Sequence, residues 1–314
     1  MAEITERRTK EQGAGGWLPA LAAAGASLLV GSGIVATRFV IEQSDPASLA
    51  LLRYVIGFAC LLPPLLVTGW PRFARRDLLP IALLGIGQFG ILIALLNYGL
   101  EQVPAARGAL IFAVFPLLTM ILAALLRAEP LSLFKSLGVL LTILGVGLVI
   151  GEKVLGEELL AAGGEGWNGE LAVFGAALCG AVCSVYYRPY LERYSTLSVG
   201  AFAMLASVFF LAIPAGFEGF FDEIPRFTLG GWLAVIFIGL SSGAGYLLWL
   251  WALAHTTPTK VAMFLAVSPI TAALLGWLLL AEALSPLFLL GLVCVVLGLW
   301  VAHMRPKQPS GESH

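Results

Sequence analysis

Apolar residues fill this chain in long runs, separated by short polar breaks that carry nearly all of its charge. A helix needs about 20 apolar residues to cross a hydrocarbon core of roughly 30 Å. Ten runs of that order follow one another, at residues 17–40, 46–68, 78–98, 104–126, 131–151, 168–188, 196–217, 228–250, 258–280 and 285–303. The breaks hold turn signals, among them Asp45-Pro46, Gly69-Trp70-Pro71, Pro104, Glu129-Pro130, Pro225 and Ser285-Pro286. The runs lack two-residue alternation and are about twice as long as a barrel strand, which excludes a transmembrane β-barrel. The pattern predicts an all-α membrane protein with ten transmembrane helices, spans one to ten. Residues 1–16 and 304–314 read as polar tails, and 152–167 as a polar connection between two halves, 17–151 and 168–303.

Those halves are related. Residues 107–149 laid over 260–302, without a gap, give fifteen identities in 43 positions. Apolar matches come easily in such a chain, but Pro116/Pro269, Ala128-Glu129/Ala281-Glu282, Leu131-Ser132/Leu284-Ser285, Gly138/Gly291 and Gly145/Gly298 do not. Earlier in each half Gly25/Gly175, Arg38/Arg188 and Glu42/Glu192 align at an offset of 150. Five spans per half is an odd number, so the halves enter the membrane from opposite sides. Inverted repeats of this kind build transporters, with the site near the midplane at the interface between repeats. A duplication that merely stabilises a bundle is the plainer reading of the same pattern.

Composition agrees with the spans: 59% of residues are hydrophobic, 12% charged, and the mean hydropathy is +0.94. That is too little charge to clothe a soluble domain of this length. Where the charges fall decides orientation. With the N-terminus cytoplasmic, the inner segments hold thirteen lysines and arginines and the outer ones four, Arg38, Arg107, Lys153 and Arg226. Both termini are therefore expected inside, in a bacterial cytoplasmic membrane. No basic patch points to nucleic acid; the expected partners are a small-molecule solute and membrane lipids, with a homodimer left open. The sequence holds no phosphate-binding glycine loop and no His-Glu-x-x-His pair. Its three aspartates lie in loops, so neither a catalytic set nor a cofactor or metal site is expected. The four cysteines sit in apolar stretches and read as small buried thiols, although Cys179 and Cys183 are one helical turn apart.

Several short motifs resemble the EamA family of the drug/metabolite transporter superfamily. The first half has Gly31-Ser32-Gly33, Leu52-Arg53-Tyr54, Asn97-Tyr98-Gly99-Leu100, Phe115-Pro116-Leu117 and Ala128-Glu129-Pro130-Leu131. The second has Leu250-Trp251-Ala252-Leu253, Ser268-Pro269-Ile270 and Ala281-Glu282-Ala283-Leu284. Gly31 stands where the family often has Trp, and Ala283 where a basic residue is usual. The resemblance implies a ten-helix carrier of amino acids or other metabolites, often exporting them, with a cavity lined by spans one, three, four, six, eight and nine.

Candidate site residues follow from polarity at depth. Arg53 is the one formal charge well inside a span, and an arginine at the bilayer centre costs about 2.5–3.5 kcal/mol on insertion scales. It either faces a cavity and pairs with a substrate carboxylate or helix end, or snorkels outward. Span eight carries Ser242, Gly245, Tyr246 and Trp249 on one helical stripe, and span six a shorter one, Gly180, Ser184 and Tyr187. Such stripes line cavities, and they also serve close helix packing or anchor at the interface. Gln88 lies deep in span three, and Asn97, nine residues on, points the opposite way on a regular helix. Pro116 and Pro269 interrupt spans four and nine and read as hinges or static kinks. Glu129 and Glu282 end the same spans, where a carboxylate opposes the helix dipole. A capping or gating role suits them better than substrate contact.

Overall fold

The computed structural model describes residues 17–69, 72–126, 133–155, 167–223, 225–255, 264 and 267–302. Among these residues every regular element is helical. Seven helices are long and apolar enough to cross a membrane: Leu18–Gln43, Pro46–Thr68, Arg75–Gln102, Ala105–Leu122, Asn168–Leu191, Thr196–Phe217 and Leu229–Ala252. They fall on predicted spans one to four and six to eight. The helices Leu133–Leu155, Val267–Leu280 and Pro286–Ala302 fall on spans five, nine and ten. Large apolar side chains cover the outside in helical register, such as Phe209, Ile213 and Phe217 on span seven. Its opposite face buries Met204, Leu211 and Ala215 in the core. Hydrocarbon tolerates that outer face where water would not.

Local chemistry sets the helix boundaries. Pro46 and Pro286 open spans two and ten, where a missing N–H costs nothing. Ser195 Oγ accepts from the Ser198 amide at 3.2 Å, and Ser285 Oγ from the Phe288 amide at 2.9 Å. Span three is not regular throughout: Ile86–Ile91 forms a π-helical turn between two α-helical segments. Span four breaks at Ala113-Val114, and Pro116 sits in the first turn of its second segment, Phe115–Leu125. Pro269 is the third residue of Val267–Leu280 and is buried.

Glycines on facing helices let backbones meet, and the meetings come in reciprocal pairs. A Cβ on Gly145 would lie 2.6 Å from the Gly291 carbonyl oxygen, and one on Gly298 would lie 2.7 Å from that of Gly138. The lower-numbered glycine of span five meets the higher-numbered one of span ten, so these two spans run antiparallel. Exchanging the halves by the sequence alignment turns one contact into the other. The same holds for Gly25 against Leu248 and Gly175 against Leu95, where the added Cβ would sit 3.8 and 3.6 Å from a leucine Cδ1.

Carboxylates clasp the helix ends together at one end of the bundle. Glu282 accepts from the amides of Ala105 and Ala106 at 2.7 and 3.0 Å, capping span four from the far half of the chain. It does not cap the helix that follows it, the partner its position suggested. Ala281 takes a left-handed φ of 53° to turn the chain there, and Gly276 leaves room for the carboxylate, since a Cβ would lie 2.7 Å from Glu282 Oε2. Glu218 does the same for span two, accepting from the amides of Ala47 and Ser48 at 3.0 and 2.7 Å and from the Ser48 hydroxyl at 2.7 Å. A negative charge at a helix N-terminus also meets the positive end of its dipole. Arg107 pairs with the buried Glu170 at 3.7 Å. At the opposite end Tyr194 donates to Asp77 at 2.6 Å, with Arg193 at 3.5 Å from the same oxygen. Glu129, the repeat counterpart of Glu282, lies outside the described residues.

Two consequences are measurable as unfolding in detergent micelles. Gly291→Val forces a side chain against the Gly145 backbone and lowers stability by about 1–3 kcal/mol, as overpacking does. Gly147→Ala, where nothing lies within 4 Å of an added Cβ, does not lower it. Glu282→Ala strips the acceptor from two amides and costs roughly 1–3 kcal/mol.

Candidate functional site

Polar side chains that cannot face lipid converge at the middle of the bundle. Gln88 sits at the midpoint of Arg75–Gln102, and Ser242 at the midpoint of Leu229–His255. From span two, Arg53 Nε donates to Ser242 Oγ at 2.6 Å, and that hydroxyl donates to the Ile238 carbonyl at 2.6 Å. Gly33 of span one stands beside the guanidinium, where a Cβ would lie 3.7 Å from Nη2. Arg53 is half-buried and makes no ion pair among the described residues, whereas Arg38, Arg107, Arg193 and Arg226 each have a carboxylate beside them.

An aromatic group continues from there. The ring of Tyr54, next to Arg53, lies 5.2 Å from that of Phe89, and Phe89 meets Tyr246 edge-on at 4.7 Å. Gly200 of span seven admits the Tyr246 ring, with an added Cβ only 3.1 Å from Cε1. The hydroxyls of Tyr246 and Tyr187 approach each other without closing an aligned hydrogen bond. Both hydroxyls, and Gln88 Oε1, are buried with no hydrogen-bond partner. Ser27 Oγ, Thr37 Oγ1, Asn97 Oδ1, Thr142 Oγ1 and Ser207 Oγ are in the same position elsewhere among the described residues, so the central atoms are not singled out by this alone.

The π-helical turn explains how span three presents this region. A π-turn inserts one residue into a helix and is found disproportionately at functional sites. Here it holds Gly87, Gln88, Phe89 and Gly90. Cys179 Sγ donates to the Gly87 carbonyl at 3.3 Å, and a Cβ on Gly87 would lie 2.7 Å from Cys183 Sγ. On Gly90 it would lie 2.8 Å from the Phe210 ring. The glycines let spans six and seven close around the turn. Beyond it Asn97 is buried, and its amide donates to the Pro46 carbonyl at 2.9 Å. Asn97 therefore ties span three to the start of span two.

The predicted residues thus divide. Arg53, Ser242, Tyr246 and Tyr187 come together, with Gln88 next to Phe89 in the chain. Trp249, one turn beyond Tyr246, packs instead against the buried pair Ala23 and Ala252. Ser184 is half-buried on span six. Pro116 and Pro269 are buried where helical segments begin, one turn or less from the breaks. Gly31 packs on the second of these segments, with an added Cβ 2.5 Å from the Ser268 carbonyl oxygen, so the tryptophan common in the family has no room here. Reading the sequence missed Tyr54, Phe89 and Gly33. The signal for them was the run of glycines around Phe89 and the adjacency of Tyr54 to the buried arginine.

Two clefts among the described residues lie elsewhere. One, of about 210 Å³, is polar and lined by Gln43, Ser48, Glu218 and Arg226 near the clasp. The other, of about 230 Å³, is apolar and lined by Ile270, Leu292, Val293, Val296 and Leu297. The central side chains pack on one another, and the open central pocket that the sequence led us to expect is not one of these clefts.

Comparison with known proteins places the arrangement. The uncharacterized transporter YoaV of Bacillus subtilis is 23% identical, over 88% of this chain and 93% of its own length. A probable terminal-alkyne amino-acid exporter of Streptantibioticus cattleyicolor is 27% identical over 87% of this chain and 89% of its own. One crystal structure shares the fold with a TM-score of 0.67 at 23% identity, covering 90% of this chain and 96% of that chain. The EamA-like transporter family matches twice, at residues 17–151 and 167–304, one match on each half. With both repeats matched and the apolar helices in place, this multi-pass membrane protein belongs to the EamA-like transporter family.

Proposed function

We propose that the protein is a secondary transporter that exports a small metabolite, an amino acid or a related solute, across the cell membrane by alternating access. The observation that carries this reading is the match of both halves to a transporter family, with Arg53 of span two bonded to Ser242 at the midpoint of span eight. A carrier needs hydrogen-bonding groups at that depth for its solute, and a structural core does not. The amino-acid exporter among the relatives favours the same class of cargo and the same direction.

In this reading the chain makes ten spans in two inverted repeats, with both termini cytoplasmic. The antiparallel packing of spans five and ten supports the inversion, and the thirteen-to-four distribution of cations supports the orientation. Opening to the outside requires Glu282 to release the amides of span four, so that carboxylate acts as an outer gate, with Glu129 its inner counterpart. Pro116 and Pro269, at the segment starts of spans four and nine, are the hinges. With no acidic side chain deep in a span among the described residues, the drive is the solute's own gradient or exchange.

Purified protein in proteoliposomes loaded with amino acids tests the function directly. Release of at least one of them above protein-free vesicles is the expected result, and an enzyme or inert bundle gives none. Cysteines placed at Gly163 and Ala74 report the orientation: the first reacts with an impermeant maleimide from outside intact cells and the second does not. Tyr246→Phe removes one hydroxyl, worth about 0.5–1.5 kcal/mol, so apparent affinity falls roughly 2- to 12-fold at normal expression. If that variant and Gln88→Leu both transport as wild type does, the site lies elsewhere.

A further inference from the structure

We infer that Arg53, held by Ser242, is the carboxylate site of this carrier, and that its cargo is restricted to small solutes bearing a carboxylate. The inference rests on the carrier reading above and narrows its substrate class. A guanidinium keeps its charge under all ordinary conditions and offers five N–H donors in a planar fork. Within the span, one of those donors meets a protein acceptor, the neutral Ser242 hydroxyl at 2.6 Å. No carboxylate among the described residues lies within 4 Å of the group, whereas Arg38, Arg107, Arg188, Arg193 and Arg226 all have one. The cost of a charge at this depth is reduced by pairing, and an anion is the partner that also balances the charge. On the side of span one the neighbour is Gly33, where an added Cβ would lie 3.7 Å from Nη2 in ordinary contact.

The rest of the group sets the charge of the whole solute. Beside Arg53 lie the face of Tyr54 and, through Phe89, the rings and hydroxyl of Tyr246, with Tyr187 OH and Gln88 Oε1 unpartnered. These are neutral acceptors and aromatic faces, which hold an ammonium by hydrogen bonds and cation–π attraction without adding negative charge. The site then carries one positive charge and accepts a zwitterion or a monoanion. A decarboxylated amine would bring a second cation to Arg53, and a dianion would leave net negative charge in an apolar slab. The planar fork also matches a carboxylate in two parallel hydrogen bonds.

The test uses purified protein in proteoliposomes and the twenty proteinogenic amino acids as labelled solutes, each challenged with its own carboxamide and its own decarboxylated amine. We expect the amino acids that move to be competed by unlabelled acid and not by amide or amine. Arg53→Gln should raise the KM roughly 10- to 150-fold, as the loss of hydrogen bonds to a charged group does, and Arg53→Lys should recover part of it. The unfolding temperature of Arg53→Gln should fall only by what the hydrogen bond to Ser242 contributes, because no ion pair is removed. Equal competition by the amide in wild type overturns the carboxylate site and needs no variant. So does an unchanged KM in Arg53→Gln, with or without a fall in unfolding temperature. A wild type that moves none of the twenty sinks the amino-acid export reading itself, an outcome distinct from movement of acid and amide alike.

Discussion

Hydrocarbon offers no partner to a polar group, and each one left facing it costs several kcal/mol. In this protein that constraint acts at two levels. Along each span it forces the backbone to satisfy itself as a helix and leaves leucine, isoleucine and phenylalanine to face outward, as Phe209, Ile213 and Phe217 do. Between spans it drives Arg53, Gln88, Ser242, Tyr187 and Tyr246 inward, where they can meet only each other or a solute. Their mutual contacts satisfy them in part. Ser242 takes the arginine, but three other polar atoms remain unmatched. An incompletely satisfied centre inside a well-packed shell is what a carrier requires, since a fully satisfied one would have nothing to offer its cargo.

The repeat shapes the backbone more than the chemistry. Gly138 and Gly145 meet Gly298 and Gly291 in contacts that interchange when the halves are exchanged, so the helices of the two repeats pack alike. The central side chains do not follow. At the offset of 150 that relates the early parts of the two halves, Arg53 corresponds to Ala203. Symmetric scaffolding lets two conformations mirror each other, whereas one cation without a twin gives the site a single polar end. A solute with a carboxylate at one end and an apolar or cationic remainder suits that asymmetry.

The helix ends show a different economy. Glu282 and Glu218 each bind two backbone amides that a helix start would otherwise leave open, and each does so across the long gap between halves of the chain. Such caps are strong enough to hold the helix ends together and local enough to break one at a time. The same end of the bundle carries the Arg107–Glu170 pair, and the Asp77, Arg193 and Tyr194 cluster holds the opposite end. Charges thus gather at the two ends of the bundle, Asp77 and Glu170 buried there against their partners, and among the described residues Arg53 stands apart from them.

The hydrophobic pattern determined the places of the spans, the halves, the exclusion of a barrel and the polar residues that had to turn inward. All of these depend on run length and composition within one segment, which a linear chain displays. The tertiary structure decided who meets whom. Arg53 found Ser242, 189 positions away. Trp249 keeps the stripe it shares with Tyr246, but one turn further along it meets Ala23 and Ala252 rather than the aromatic group. Asn97 went to the Pro46 carbonyl beyond a π-turn that no local periodicity announces, and Glu282 went to span four rather than to the next helix. These outcomes depend on the rotation and register of helices relative to one another. Those are settled by the summed contacts of all the spans, so they exist only once the bundle has closed.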